Sequence, residues 1–297
     1  MIVVTTPTGQ VGRHVVDGLL EAEESVRVIV RNPDRLSQEV ADRVEIVTGN
    51  HNDPAVTMKA FEGAEAVFYL VPPEVAANDV RGHYRAFAKS TASALVAHDV
   101  GRIVAVSTLG RGYNKEAGHL SAALEAEPVL EDTGVDYRTL RMPFFMDNLV
   151  NQVPALKAQG AFFMPNVADQ QLLTVATSDI GAVAVDLLVD RDWIGQESVS
   201  VVGPDRLTPL QMAETLSDVL GSSIRYEQTS MDSYSANLLQ YGMSQAWVRG
   251  LVDMAAAQND GIYDLHGVDT AAGTSTSFRT WCEITLKPAF LQSTSQW

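Results

Sequence analysis

The chain has 297 residues, 46% of them hydrophobic and 20% charged, the balance of a globular protein with room for one α/β domain and a smaller lobe. Its net charge of −16 argues against the basic surface that a nucleic-acid backbone or an anionic membrane requires. The single cysteine, Cys282, forbids an intramolecular disulfide, no apolar run approaches the ~18 residues of a membrane span, and Met1-Ile2-Val3-Val4 lacks the basic start of a signal peptide, so a cytoplasmic protein is expected.

Met1-Ile2-Val3-Val4-Thr5 reads as a first strand, and Thr6-Pro7-Thr8-Gly9-Gln10-Val11-Gly12 as a turn with two glycines. Arg13 to Leu20 has helical spacing, with Val15, Val16, Leu19 and Leu20 on one face. Val26 to Val30 is a second strand, stopped by Arg31-Asn32-Pro33. Strand, glycine turn, helix and strand open a dinucleotide-binding unit, in which the helix N-terminus meets a pyrophosphate with free N–H groups and a favourable dipole. An acidic residue at the end of the second strand would take a ribose 2′-hydroxyl. Arg31 suits a 2′-phosphate instead, which points to NADP(H) over NAD(H).

Further strands are expected at 44–47, 66–71, 102–107 and 136–141, with helices at 54–61, 78–97 and 118–132 between them. This alternation predicts a doubly wound parallel sheet with helices on both faces and ligands at the carboxyl ends of the strands. The regular pattern ends near Pro143. Beyond it, helices are expected at 149–158, 179–189, 208–219, 231–240 and 244–256, and strands at 171–175 and 198–202. The division is therefore a dinucleotide-binding domain at 1–148 and a C-terminal α/β substrate lobe at 149–297, interleaved with the core sheet. Residues 292–297 are read as a frayed end. Cys282 reads as a structural thiol within one helical turn. Histidines at 14, 51, 83, 98, 119 and 266 show no metal-ligand spacing, so no metal is expected.

Thr8-Gly9-Gln10-Val11-Gly12, Val30-Arg31-Asn32-Pro33, Gly49-Asn50-His51-Asn52-Asp53 and Arg141-Met142-Pro143-Phe144-Phe145-Met146-Asp147-Asn148 fall in the order and spacing of NmrA-like proteins, which are atypical short-chain dehydrogenase/reductases. The tail Thr276-Ser277-Phe278-Arg279-Thr280-Trp281 also resembles bacterial members, so the likeness spans nearly the whole chain. It implies an extended Rossmann sheet, usually NADP(H), and a substrate cleft between sheet and C-terminal lobe. Some members reduce quinones, dyes or other carbonyl-like acceptors; others bind the dinucleotide without turnover, as sensors.

By position, the resemblance implies that Thr6, Thr8, Gly9, Gln10 and Val11 line the pyrophosphate. Arg31, Asn32 and Arg35 would take the 2′-phosphate, and Asn50 and His51 would border the adenine. Leu70, Val71, Pro72, Ser107, Thr108, Met142, Pro143 and Phe144 would approach the ribose and nicotinamide. The residues themselves offer Phe144, Phe145, Phe162, Phe163, Met164 and Trp247 as an apolar wall for an aromatic small-molecule substrate, weighed against plain core, with Asn148 as a polar anchor.

Three departures stand out. The first turn position is Thr6 followed by Pro7, where the family carries glycine, and proline deletes one N–H donor. There is no Tyr-x-x-x-Lys: Lys115 follows Tyr113 by two positions, and residues i and i+2 do not share a helix face. Pro128 stands where many members carry a lysine, which predicts a kinked helix or a new one starting there. Tyr113 and His119 are the remaining candidates for proton donation, each weighed against a plain surface or helix-end role. The leading expectation is an NADP(H)-dependent reductase, monomeric or homodimeric. The alternative is a non-catalytic NADP(H) sensor with a regulatory protein partner.

Overall fold

In the computed structural model, which describes residues 1–264 and 274–292, the early apolar runs form six strands of one seven-stranded parallel sheet. In chain order these elements are β1 (Ile2–Val4), α1 (Gly12–Glu21), β2 (Val26–Val30), α2 (Gln38–Ala41), β3 (Glu45–Thr48) and α3 (Pro54–Phe61). Then come β4 (Ala66–Tyr69), α4 (Val80–Ala97), β5 (Arg102–Thr108), α5 (His119–Glu131) and β6 (Asp136–Met142). The second half supplies β7 (Phe144–Phe145), α6 (Val153–Gln159), β8 (Ala161–Met164), β9 (Leu172–Val175), α7 (Thr177–Val189) and β10 (Gln196–Ser200). It ends with β11 (Arg206–Leu207), α8 (Pro209–Leu220), β12 (Arg225–Gln228), α9 (Met231–Gln240), α10 (Gln245–Asn259), α11 (Phe278–Trp281) and α12 (Lys287–Leu291).

The main sheet runs β10-β6-β5-β4-β1-β2-β3, every pair parallel, so the order reverses between β1 and β4. That switch point opens a crevice beyond the strand ends, the usual ligand position in such sheets. The doubly wound architecture with a smaller α/β lobe is as the alternation predicts. One face buries Val15, Val16 and Leu19 of α1 against Ile180, Ala184 and Leu188 of α7. The other packs Phe61, Phe87, Leu95 and Leu130 from α3, α4 and α5. Two glycines let α1 and α7 approach closely. A Cβ on Gly181 would lie 2.5 Å from the His14 Cβ, and one on Gly18 would lie 2.8 Å from Val185 Cγ2.

The lobe has its own core, in which Met146, Phe162, Met212 and Leu216 surround Phe278, Trp281 and Cys282. The tail is pinned there: Thr276 donates from N and Oγ1 to Asp179 over 3.1 and 2.6 Å, and Phe278 N donates to Asp205 Oδ2 over 2.6 Å. Cys282 is buried, and burial pushes its thiol up to about 12, which keeps it inert.

Several elements differ from expectation. α5 is one helix with Pro128 inside it, not a new helix beginning there; α5 is packed along α4 and tolerates the missing donor. The expected helix at 149–158 divides into a 3-10 segment, Met146–Gln152, and α6, where Pro154 sits in the first turn. Strands β8 and β12, which pair with each other, have no counterpart among the strands expected from the apolar pattern. The frayed-end reading beyond residue 292, and the histidine at 266, lie outside the described residues.

Candidate active site

The turn after β1 is built by its own backbone. Gly9 N donates to Thr6 O over 3.1 Å, which closes a turn with Pro7 at its second position, a place whose φ suits proline. α1 then starts at Gly12 with no side-chain cap and no acidic residue in its first turn; Arg13 N donates to Gly9 O over 3.2 Å, and no side chain of the helix start competes with an anion there. A Cβ on Gly12 would lie 2.6 Å from the Thr6 carbonyl carbon and closer still to its oxygen, so only glycine fits. The Thr6 Oγ1 is buried at the cleft edge and has no hydrogen-bond partner among the described residues. A free helix N-terminus, a glycine cradle and an orphaned hydroxyl fit a bound pyrophosphate, so the residues present suit the dinucleotide.

From this turn a cleft of about 850 Å³ runs along the strand ends and under the lobe. Thr6, Thr8, Gly9, Gln10 and Val11 line one end, followed by Leu70, Val71 and Pro72 after β4, and Ser107 and Thr108 at the end of β5. Met142, Pro143, Phe144, Phe145 and Asn148 continue the wall. The lobe closes it with Phe163, Met164, Tyr234, Met254 and Tyr263. Phe163 is held in place by Gln152, whose amide exchanges two hydrogen bonds with its backbone, of 2.7 and 2.8 Å.

Arg31, Asn32, Arg35 and Asn50 are not in that lining; they sit beyond the ends of β2 and β3. Arg31 is exposed and, among the described residues, carries no ion pair, so its charge is available to a ligand. The Asn32 side chain caps the turn that follows, accepting from Asp34 N over 3.0 Å. His51 is 2% exposed and does not open to the cleft. Its Nε2 lies 3.1 Å from Leu70 O and its ring packs edge-on to Phe87, so it braces the loop after β4. Burial, with like charge from His83 and Arg31, holds its pKa down at about 3.

Two of the expected substrate residues and one proposed donor face elsewhere. Successive residues of a strand point to opposite sides, so Phe162 enters the lobe core while Phe163 lines the cleft. Trp247 lies behind the wall, its ring 4.2 Å from that of His119. Tyr113 belongs to an outer hollow formed by residues 110–117 with Arg81 and Glu125. Its hydroxyl donates to Asp260 Oδ2 over 2.8 Å, and burial with that carboxylate pushes its pKa up to about 12. His119 does border the cleft; its Nε2 is 3.2 Å from Trp247 O, and burial lowers its pKa.

Sequence reasoning passed over the pair at the cleft floor. Glu127 and Arg141 are both buried and form an ion pair of 2.7 Å. Ser107 Oγ donates to the other oxygen of Glu127, and Arg141 also donates to Thr108 O over 3.3 Å. The signal was present: an arginine inside a strand flanked on both sides by other strands must find a partner.

Fold and site together define a Rossmann-type dinucleotide-binding protein with an apolar cleft beside the cofactor position. Residues 7–191 match the family described as NAD(P)H-binding, and the chain belongs to that family. It is 30% identical over 240 residues to a (4-alkanoyl-5-oxo-2,5-dihydrofuran-3-yl)methyl phosphate reductase of Streptomyces griseus, covering 80% of each protein. Among solved structures, a nucleoside-diphosphate-sugar epimerase of Staphylococcus aureus superposes with a TM-score of 0.80 at 18% identity, over 95% of this chain and 99% of that one. The NADPH complex of an Escherichia coli quinone oxidoreductase gives 0.78 at 22% identity, over 94% and 97%. The two structural likenesses speak to the fold alone.

Proposed function

We propose that this protein is an NADPH-dependent reductase of the NmrA-like type that delivers hydride to an apolar quinone, enone or similar conjugated carbonyl acceptor. The observation that carries the reading is the continuity of the cleft. One space joins the uncapped N-terminus of α1 to an aromatic wall built by β7, β8 and the lobe helices. The dinucleotide supplies the hydride when bound; the chain supplies position and dryness. Thr8, Gly9, Gln10 and Val11 hold the pyrophosphate, and exposed Arg31 takes the 2′-phosphate. Phe144, Phe145 and Phe163 shield the reacting face from water. No Tyr-x-x-x-Lys motif stands in the sequence, which suits an acceptor whose reduction needs little acid catalysis. The Streptomyces relative, named as a reductase of an unsaturated lactone, supports a conjugated acceptor.

The test is a fluorescence titration with NADPH and NADH, followed by NADPH oxidation with naphthoquinone and enone acceptors. Wild type should bind NADPH more tightly than NADH. Arg31→Ala should lose about 10- to 100-fold of NADPH affinity, the value of a charged hydrogen bond, and leave NADH unchanged. Thr6 in place of the family's first turn glycine, and Pro128 in place of its lysine, favour a second reading, a redox sensor. Preference for one oxidation state of the dinucleotide without turnover of any acceptor would establish it.

A further inference from the structure

The direction of the hydrogen bonds at the cleft floor is set from their buried end. Arg141, 6% exposed, donates from Nη2 to Glu127 Oε2 over 2.7 Å, and a guanidinium has no acceptor. Glu127, 4% exposed, meets it as a carboxylate and accepts on both oxygens. The hydrogen between Glu127 Oε1 and Ser107 therefore belongs to the Ser107 hydroxyl. Ser107 lines the cleft with lone pairs and no proton to offer. A site that polarises a carbonyl needs a donor at this place. Here a carbonyl oxygen set against Ser107 Oγ meets lone pair with lone pair, whereas an N–H or O–H meets an acceptor.

We propose that the position beside Ser107 takes a hydrogen-bond donor, so that the acceptor molecule carries an N–H or O–H next to its reducible system. Glu127 is the positioning residue that sets this polarity, through Ser107. The substrate half of the inference rests on the reductase reading above. A site with a half-buried acceptor discriminates against a ligand that leaves it unpaired, by about 10- to 100-fold.

The test is calorimetric binding of methylaminonaphthoquinone, which has one N–H, and dimethylaminonaphthoquinone, which has none, with and without NADP⁺. Wild type is expected to favour the monomethyl compound by about 10-fold or more. Ser107→Ala should erase the preference. Glu127→Gln places an amide that donates to Ser107 and turns its hydroxyl toward the cleft, so the preference should vanish or invert. Overall weakening of both ligands at a constant ratio, the mark of a purely structural role, would overturn the positioning claim. If Glu127→Gln does not fold, Ser107→Ala decides alone. A wild-type ratio near one, or a ratio that survives Ser107→Ala, overturns the proposal.

The cofactor's carboxamide offers the same N–H, and the acetylpyridine analogue of NADP⁺ lacks it. Equal binding of NADP⁺ and the analogue leaves the donor with the substrate. Weaker binding of the analogue to wild type, equalised in Ser107→Ala, assigns Ser107 to the cofactor and overturns the substrate assignment. Naphthoquinone turnover is followed in parallel. A preference without turnover ends the reductase reading and keeps the donor site; turnover without a preference does the reverse.

Discussion

At the scale of single residues, Gly12 has almost no latitude. Its missing side chain is what lets α1 begin against the Thr6 carbonyl, and the obstacle is backbone, which cannot rotate aside. Gly12→Ala should force turn and helix apart and pull N–H groups away from the phosphate. A single charge-assisted hydrogen bond is worth about 1.5–3 kcal/mol, so NADPH affinity should fall by about 10- to 100-fold or more. A titration alongside far-ultraviolet circular dichroism checks this; full affinity in a folded variant would refute the cradle. Gly12 and the rest of that turn were legible as a strand–turn–helix, and two glycines alone would suit close packing as well as a phosphate; Arg31 at the end of the second strand tips that reading. Glu127 was not legible, because a glutamate in a helix ordinarily faces solvent and its partner Arg141 lies on a different element. Ser107 was legible as a cleft residue, yet its partner lies 20 residues away on α5 and no local pattern links them.

Among elements, β1, β2, β4 and β5 were legible because central strands of a parallel sheet leave nearly continuous apolar runs, and the polar β6, Asp-Tyr-Arg-Thr-Leu-Arg-Met, and the exposed edge strand β3 were legible from their place in the alternation with helices. The lobe strands were not. β8 is four residues, Ala-Phe-Phe-Met, whose aromatic content reads equally as a wall, and β12 is polar, Arg-Tyr-Glu-Gln. Their pairing is a tertiary fact. The same holds for the packing of α1 on α7, which joins residues far apart in sequence through two glycines. It carries a ranked prediction. Gly181→Ala drives a Cβ to 2.5 Å from His14 Cβ, an atom fixed to the helix backbone. Gly18→Ala meets Val185 Cγ2 at 2.8 Å, an atom that a χ1 change can move. Overpacking costs about 1–3 kcal/mol, so Gly181→Ala should lie near the upper end and Gly18→Ala near the lower. Urea unfolding of the two variants measures the order, and a reversed order would show that α7, not α1, yields.

At the scale of the whole molecule, the histidines couple the two lobes and tie stability to pH. His51 holds the loop after β4, His83 lies 2.9 Å from Pro72 O in the same loop, and His119 reaches the Trp247 carbonyl of α10. The rings of His83 and His119 both pack on Trp247, so the loop beside the cofactor position and the lobe helix share one aromatic cluster. Burial depresses His51 and His119 below the ordinary value of 6.5, His51 to about 3. The sign follows directly. As pH falls through 6.5 the unfolded chain takes up protons that the folded His51 refuses, so stability is complete above that pH and lost progressively below it. One such group contributes about 1.4 kcal/mol per pH unit, or about 2 kcal/mol between pH 6.5 and 5. His51→Gln keeps an N–H for the Leu70 carbonyl and has no proton to refuse. Unfolding free energies at pH 7 and pH 5 should therefore converge for the variant relative to wild type by up to about 2 kcal/mol. Equal losses in both would mean that His51 titrates in the folded protein as it does in water, and that the loop beside the cofactor opens well before the fold gives way.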